Sequence, residues 1–387
     1  MSLPRKKILY FTVPSFFDLE ISLIRELSSF ADVEVILLVT PKSMHSSAFS
    51  MESLSQKPSL KSFSEIDGLD KYSEVIDLSQ WSAAILPSYS LPNLLKLRRL
   101  LKKRVSKGNY DIFHCATVGN LQRSLLGCFK KIPKRIMNVH DPIPHRPSGF
   151  FRHHILRSSF HWGGNLLLFN TCQTSEFTKL YGLNKQTIHF SRLAAYDFIN
   201  HFPTTPNPYG KYILFFGRIE PYKGVEILTE AFLNSQTAKK GIKLIIAGKG
   251  NLPKNASSDN PAIITLNRYI GNDELANLIR HSMFVVIPYL TATQSGVLMS
   301  VLALGKPSLV SDAGDLPNAI TASDGTPFGL VAKAGDPSEL ASQIDRLCAD
   351  PALCETLSNN IRKALDVDSK LSWKAVAAQI YTIYNLL

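Results

Sequence analysis

Two cations, Arg218 and Lys223, follow an apolar run and a glycine in the stretch Ile213-Leu214-Phe215-Phe216-Gly217-Arg218-Ile219-Glu220-Pro221-Tyr222-Lys223-Gly224-Val225. A guanidinium offers a bidentate fork and an ammonium a compact point charge, a pair suited to neutralising a diphosphate leaving group. Ligands of open α/β sheets bind beyond the carboxyl ends of strands, where a turn after Phe216 would put both cations. Surface ion pairs show the same spacing, so these residues alone leave both readings open. A second stretch, Tyr289-Leu290-Thr291-Ala292-Thr293-Gln294-Ser295-Gly296-Val297-Leu298, sets small hydroxyl residues and a glycine at an expected helix start. Free N–H groups and the helix dipole there attract an anion, although plain N-capping by Thr293 or Ser295 uses the same residues without a ligand. A third, Asn138-Val139-His140-Asp141-Pro142-Ile143-Pro144-His145, leaves a predicted strand through a proline-braced turn. His140 there serves either a ligand or the nearby backbone, and Asp141 and His145 flank it.

The elements that must position these residues alternate between short aliphatic strands and amphipathic helices, the pattern of an α/β fold with parallel sheets. Strands are expected at Lys7–Val13, Val33–Val39, Ile112–Cys115 and Arg135–Val139, with a helix over Asp18–Phe30 and Asp18 as its N-cap. Three prolines and a glycine within Phe202–Gly210 read as an extended linker. The pattern then restarts as a second Rossmann-like unit: a strand at Tyr212–Phe216, a helix from about Gly224 to Leu233, and strands at Lys243–Ala247, Ala262–Leu266, Phe284–Ile287 and Ser308–Val310. Residues Ser372–Leu387 form a helix with one apolar face, through Val376, Ala377, Ile380, Ile383 and Tyr384.

In this order and at these spacings the second half resembles the retaining family 4 glycosyltransferases (glycosyl transferases group 1), in a branch with a Thr-Gln-Ser-Gly loop. The resemblance runs through Phe215–Gly224, Ile245-Ile246-Ala247-Gly248-Lys249-Gly250, Arg268-Tyr269-Ile270, Thr293-Gln294-Ser295-Gly296, Gly305-Lys306-Pro307 and Ser311-Asp312-Ala313-Gly314-Asp315-Leu316-Pro317. It implies a GT-B fold, two Rossmann-like domains facing a central cleft: residues 1–200 for the acceptor, a linker at 201–210, residues 211–371 for the nucleotide-sugar donor, and a helix at 372–387 returning to the first domain. It implies that Arg218 and Lys223 bind the donor diphosphate, that Tyr269 and Ile270 lie against the nucleobase, and that Gly217 and the backbone from Thr293 and Gln294 through Ser295, Gly296 and Val297 contact phosphate and sugar. Family members also carry a His-x-Pro sequence whose histidine reaches the donor sugar, and His140 is the matching residue. A neutral imidazole can hydrogen-bond a sugar hydroxyl and help to order the reacting carbon. The reaction implied is front-face sugar transfer with retention of configuration and no protein nucleophile. With two cations on the diphosphate no metal is expected, and the nucleotide-sugar is a substrate rather than a cofactor. The chain departs from the family at two glutamates, whose places fall at Ala292 and Ser300. Sugar and ribose contacts therefore do not transfer to Ser300, and a non-catalytic nucleotide- or glycan-binding GT-B protein stays open. A phosphorylase or nucleotide-sugar epimerase would use the same phosphate site. A nicotinamide dehydrogenase is disfavoured, because no G-x-G-x-x-G follows the first strand.

Charge separates the two halves. Residues 1–200 hold 26 Lys and Arg against 15 Asp and Glu, and the remainder 17 against 16. The densest stretch, Leu94–Arg104, sets leucines at helical spacing against a cationic face, which suits either an anionic lipid surface or simple solvation. An anionic or membrane-held acceptor, such as a lipid-linked saccharide, follows as an expectation. Nucleic acid is not expected, since no aromatic-interleaved basic strand accompanies the charge. Five cysteines without a CxxC pair point to neither a disulfide framework nor a zinc site, and fit a reducing cytoplasm. No run reaches the about 18 apolar residues of a membrane helix, and Gly163-Gly164 interrupts the longest candidate, Phe160–Phe169. The expected location is the cytoplasm, with peripheral contact at the inner face of the membrane. Asp366-Val367-Asp368 reads as surface, and His153, His154 and His161 as unmetallated.

Overall fold

A computed structural model describes residues 5–43, 56–66, 69, 72–143, 149–171, 173–256 and 260–387. The chain divides into two compact units, one built from residues 1–193 with 373–387 and the other from 194–372. The first contains β1 (Lys7–Thr12), α1 (Phe17–Leu27), β2 (Asp32–Val39), β3 (Ser59–Ser62), β4 (Trp81–Ile85), α2 (Leu91–Gly108), β5 (Ile112–Cys115), α3 (Asn120–Leu126), β6 (Lys134–Val139), α4 (Phe150–Gly163), β7 (Asn165–Leu168), α5 (Thr174–Tyr181) and β8 (Ile188–Phe190). The second contains β9 (Tyr212–Phe216), α6 (Val225–Asn234), α7 (Gln236–Lys239), β10 (Lys243–Ala247), β11 (Ile263–Leu266), α8 (Asn272–His281), β12 (Val285–Ile287), α9 (Gly296–Ala303), β13 (Ser308–Ser311), α10 (Leu316–Ala319), β14 (Gly329–Ala332), α11 (Pro337–Ala349) and α12 (Pro351–Val367). The terminal helix α13 (Trp373–Leu386) belongs to the first unit.

The first sheet runs β3-β4-β2-β1-β5-β6-β7-β8, parallel except for β3 against β4. The second runs β11-β10-β9-β12-β13-β14, parallel throughout. The fold is GT-B. Parallel strands joined by helices are covered on both faces, which is why β9, β10 and β12 read as unbroken apolar runs rather than alternating ones.

Alternation along the first sheet sorts its side chains between two layers. Leu9, Phe11, Phe113, Cys115, Met137 and Val139 meet α2, α3, α4 and α5 in one apolar core. On the other face α1 packs with α13, and Phe30 stacks on Tyr381 with ring centroids 5.6 Å apart. That second layer holds polar groups. His114 Nε2 donates to Asn138 Oδ1 at 2.7 Å and Tyr384 of α13 donates to His114 Nδ1 at 2.5 Å. Burial pushes the His114 imidazole down to about 4, so it stays neutral and can fill both roles. Glu20, wholly buried in α1, has its carboxyl held well above the usual range by desolvation, with the Thr12 and Tyr10 hydroxyls pulling the other way.

Several elements differ from the sequence expectation. Helix α1 begins at Phe17 with Phe16 as N-cap, so Asp18 lies inside its first turn. The apolar stretch 160–169 is the end of one element and the start of another. Gly163 closes α4, Gly164 turns the chain at φ 78°, and β7 follows. A Cβ on Gly163 would lie 2.2 Å from Met137 Sδ, so a larger residue there would require the Met137 side chain to shift. The stretch 201–210 is strapped to α8. Asn277 donates to the Pro203 carbonyl at 3.0 Å and accepts from Thr205 N–H at 2.8 Å, and His281 donates to the Thr205 carbonyl at 2.6 Å.

Candidate functional site

In the second unit the candidate residues gather where β9, β10 and β12 end. After β9, Gly217 takes φ 116°, a left-handed conformation that favours glycine. A Cβ there would lie 3.2 Å from Val297 Cγ2 and 3.5 Å from Lys223 Nζ, which places those three residues side by side. The exit of β10 crosses the same point. Gly248, at φ 144°, comes so close that a Cβ on it would lie 1.9 Å from the Gly217 carbonyl oxygen. At Gly224 a Cβ would meet the Pro288 carbonyl oxygen at 2.0 Å, which holds the start of α6 against the exit of β12. Glycines therefore pack three strand exits together and leave backbone where side chains would otherwise stand.

Lys223 is 7% exposed. Its Nζ donates to Tyr289 Oη at 2.6 Å and lies 4.3 Å from the centre of that ring. Burial pushes the ammonium down to about 8, with the Tyr222 phenol and Glu220 raising it and Arg218 lowering it further. Its hydrogen-bond partner here is a phenol, and burial holds the Tyr289 proton well above the usual phenol range while a Ser295 hydrogen bond pulls the other way. The cation is thus poorly solvated and its charge is not cancelled at its nearest contact. A buried ammonium of this kind gains from any anion that reaches it. Arg218, by contrast, is exposed.

Ser295 caps α9, its Oγ accepting from the Leu298 N–H at 3.2 Å. The ordinary capping reading of this serine is therefore realised, and the N–H groups of the helix's first residues lie beside it. Gly296 has its Cα turned to Tyr196, where a Cβ would lie 2.9 Å from the hydroxyl. Thr293, Gln294 and Val297 are half-buried in the same turn. Ser300 is 7% exposed and donates back to the Gly296 carbonyl at 3.3 Å, so its hydroxyl is turned into the helix. Tyr269 is 56% exposed with Lys249 Nζ 5.0 Å from its ring centre, while Ile270 is buried beneath it in the chain. Arg268 is held by both oxygens of Glu274, at 2.6 and 2.7 Å. Tyr289 and Lys249 are the residues that sequence reasoning did not single out. The available signal was their position, each two residues beyond a strand end.

In the first unit His140 follows β6. Its ring is stacked between Phe16, at 4.1 Å, and Phe169, at 4.9 Å. Its Nε2 donates to the Ala116 carbonyl at 2.9 Å, and burial pushes the imidazole down to about 4. The neutral ring with its proton on Nε2 offers Nδ1 as an acceptor. The histidine therefore satisfies backbone with one nitrogen and keeps acceptor capacity on the other. Asp141 is exposed next to it, and His145 lies outside the described residues. His153 stacks on Tyr181 at 5.0 Å, and Asp368 caps the turn after α12 and accepts from Ser323. Among the described residues no three His, Cys, Asp or Glu side chains converge on a point that could hold a metal ion, and no helix is long and apolar enough to cross a membrane.

Sequence comparison with known proteins falls on less than half of the chain. Residues 210–350 match the family described as glycosyl transferases group 1. An uncharacterized glycosyltransferase of Methanocaldococcus jannaschii is 28% identical over 183 residues, which span 46% of this chain and 45% of that protein. The chain thus matches less than half the length of this relative. Among solved structures, sucrose-phosphate synthase of Thermosynechococcus elongatus superposes with a TM-score of 0.67 at 15% identity, covering 99% of each chain. Anabaena HepE in complex with UDP and glucose gives 0.65 at 13% identity, covering 99% of this chain and all of that one. At such identities the likeness is one of fold. The glycine-packed strand exits and their two cations thus lie within residues 210–350, the stretch that matches glycosyl transferases group 1, in a chain of GT-B fold.

Proposed function

We propose that the chain transfers a sugar from a nucleoside diphosphate sugar to a saccharide or lipid-linked acceptor. The observation that carries this reading is Lys223: a buried ammonium held on a phenol, beside glycine-lined turns and the start of α9. Such a group is suited to the charge that develops on a departing diphosphate. Arg218, exposed on the same loop, is assigned to the same phosphates, and Tyr269 to the face of the base. HepE was solved with UDP, which makes a uridine nucleotide the first donor to try. Retention of configuration, membership of family 4, the role of His140 toward the donor sugar and a part in polysaccharide or glycoconjugate synthesis rest on the sequence resemblance. So does the placing of donor in residues 211–371 and acceptor in residues 1–200. The basic first unit favours an anionic or membrane-held acceptor, and with it a place at the inner face of the membrane.

Calorimetric titration with UDP, GDP and ADP, repeated on Arg218→Ala, tests the donor site. Selective binding of one nucleotide that is lost in the variant supports it, and binding of none removes it. The specific observation favouring a second reading is at the missing glutamates. Ala292 has no carboxylate, and Ser300 turns its hydroxyl into α9. Tight nucleotide binding without transfer to any acceptor would establish that non-catalytic reading.

A further inference from the structure

We propose that the layer formed by α2, α3 and α4 in the first unit is a docking surface for an anionic lipid bilayer, with Leu91, Leu95, Phe150 and Phe151 entering the interface and the α2 cations lying on the headgroups. Three independent features of this layer coincide.

The first is its charge. Together the three helices carry ten Lys and Arg and no Asp or Glu. Only part of this charge is satisfied by the protein. Arg104 pairs with Glu34 at 2.7 Å and Arg98 donates to the Ser124 carbonyl at 2.6 Å, whereas Lys96, Arg99, Lys102 and Lys103 are exposed. The α1 and α13 layer on the opposite face mixes both signs within α1, so the asymmetry belongs to one face and not to the unit as a whole.

The second is where the apolar side chains are left uncovered. Among the described residues of the first unit, the exposed large apolar side chains are Tyr89, Leu91, Leu95, Phe150, Phe151 and Leu180, together with Leu386 in the last turn of α13. Apart from Leu386, all lie in or just before α2, α4 and α5, the helices on one face of the sheet. Phe150 is 82% exposed and Phe151 74%, at the first turn of α4. Leaving two phenylalanines in water in that way has a cost that a bilayer interface relieves.

The third is direction. In α2 the buried seam is Leu97, Leu101 and Val105, and the side opposite it passes from Leu91 and Leu95 to Arg99 and Lys102. The outward stripe is therefore apolar at the start of the helix and cationic beyond. Helices α2 and α4 both start at the carboxyl edge of the parallel strands, after β4 and β6, so their apolar tips lie at one edge of the sheet, the edge where His140 follows β6. Lipid chains favour the tips and anionic headgroups the stripe behind them. A nucleic acid would complement the charge but leave the phenylalanines and leucines without a partner. The surface stands on these observations alone. Its use as the place where acceptor is delivered rests on the transferase reading above.

The experiment is sedimentation of the full chain with vesicles of phosphatidylcholine alone, and of phosphatidylcholine mixed in equal parts with phosphatidylglycerol, at low and high salt. Nucleotide binding is measured on the same preparation. Binding to the mixed vesicles at low salt, weakened about tenfold or more by Lys102→Gln with Lys103→Gln and by Phe150→Ser with Phe151→Ser, is the expected result. Val367→Ser, which changes an exposed apolar residue of the second unit, should leave it unchanged. Equal binding to both vesicle types, no vesicle binding, binding to a random-sequence oligonucleotide in place of vesicles, or an equal loss in Val367→Ser would each overturn the proposal. Vesicle binding that persists when no nucleotide binds would leave the surface standing and remove the donor site. The reverse pattern would remove only the surface.

Discussion

The two units end their strands differently. In the second, Gly217, Gly224 and Gly248 let backbone meet backbone at the exits of β9, β10 and β12, and a cation is buried among phenols beside them. In the first, the exits carry aromatic side chains: Phe16 and Phe169 enclose His140, and below them Tyr10, His114, Asn138 and Tyr384 form a buried polar group. The second arrangement brings backbone and a poorly solvated positive charge together. The first joins His114 to Tyr384 and Asn138 internally and keeps an acceptor at His140 Nδ1. A sheet edge built of glycine suits one chemically constant ligand, while one built of varied side chains can be altered residue by residue. The family match at 210–350 lies in the glycine-built half.

The largest effect that could break this comparison is at Gly248. A Cβ would stand 1.9 Å from the Gly217 oxygen, at a φ of 144°, so Gly248→Ala should cost about 4 kcal/mol or more of stability in the second unit. A melting curve unchanged from the parent would mean that the strand exits are not packed as described. Nucleotide affinity gives the next effect. Lys223 loses its proton at about pH 8, and a diphosphate favours the charged form, so affinity should be full below that pH and fall about tenfold per pH unit above it. Calorimetry across pH reads this directly. Lys223→Met should weaken binding by about 30-fold or more and flatten the profile.

Two smaller effects test the first unit. Tyr384→Phe removes the donor to a buried imidazole nitrogen and should lower stability by about 1–3 kcal/mol in chemical denaturation, with nucleotide binding in the second unit unaltered. Loss of nucleotide binding there would show that the two units are less separate in function than in packing. Glu20→Gln should raise stability at neutral pH by about 1–2 kcal/mol. The sign follows from the raised carboxyl: the unfolded chain releases this proton above about pH 4.5 while the fold retains it, so the parent loses stability as pH rises and the variant does not. The variant's advantage should vanish at pH about 3. Lys223 acts in the opposite sense, because its depressed ammonium lets the unfolded chain hold more protons between about pH 8 and 10.5. Its contribution to stability rises with pH.

The strands β5, β9 and β10 were legible at both ends because each is a short, largely apolar run, β5 starting after Asp111 and β9 and β10 each stopped by a glycine. β4 was not. Trp-Ser-Ala-Ala-Ile contains two alanines and one β-branched residue, too little local preference to mark a strand. β7 was hidden in an apolar stretch that also supplies the end of α4, where only the glycine pair shows the break. At the site, the loops carrying Arg218, Lys223, Ser295 and His140 could be found from residue type and position beyond strands. The partner of each could not. Nothing local to Lys223 says that it is buried, since Tyr289 reaches it from 66 positions along the chain. The proton on His140 Nε2 is likewise settled by a carbonyl of another strand exit, at Ala116.

Sequence by itself determined what short-range physics controls: the α/β alternation, the apolar face of the terminal helix and the uneven charge of the two halves. It also placed the cations beyond strand ends. Tertiary structure alone decided that the terminal helix lies against α1 and donates to His114, that residues 201–210 are strapped along α8, and that the helices richest in cations form one layer whose apolar tips share an edge. It also decided the protonation of His114, His140, Glu20 and Lys223. Helix and strand preferences are summed over neighbouring residues, whereas desolvation and hydrogen-bond partners come from residues distant in the chain, so burial and proton affinity exist only once the chain has packed.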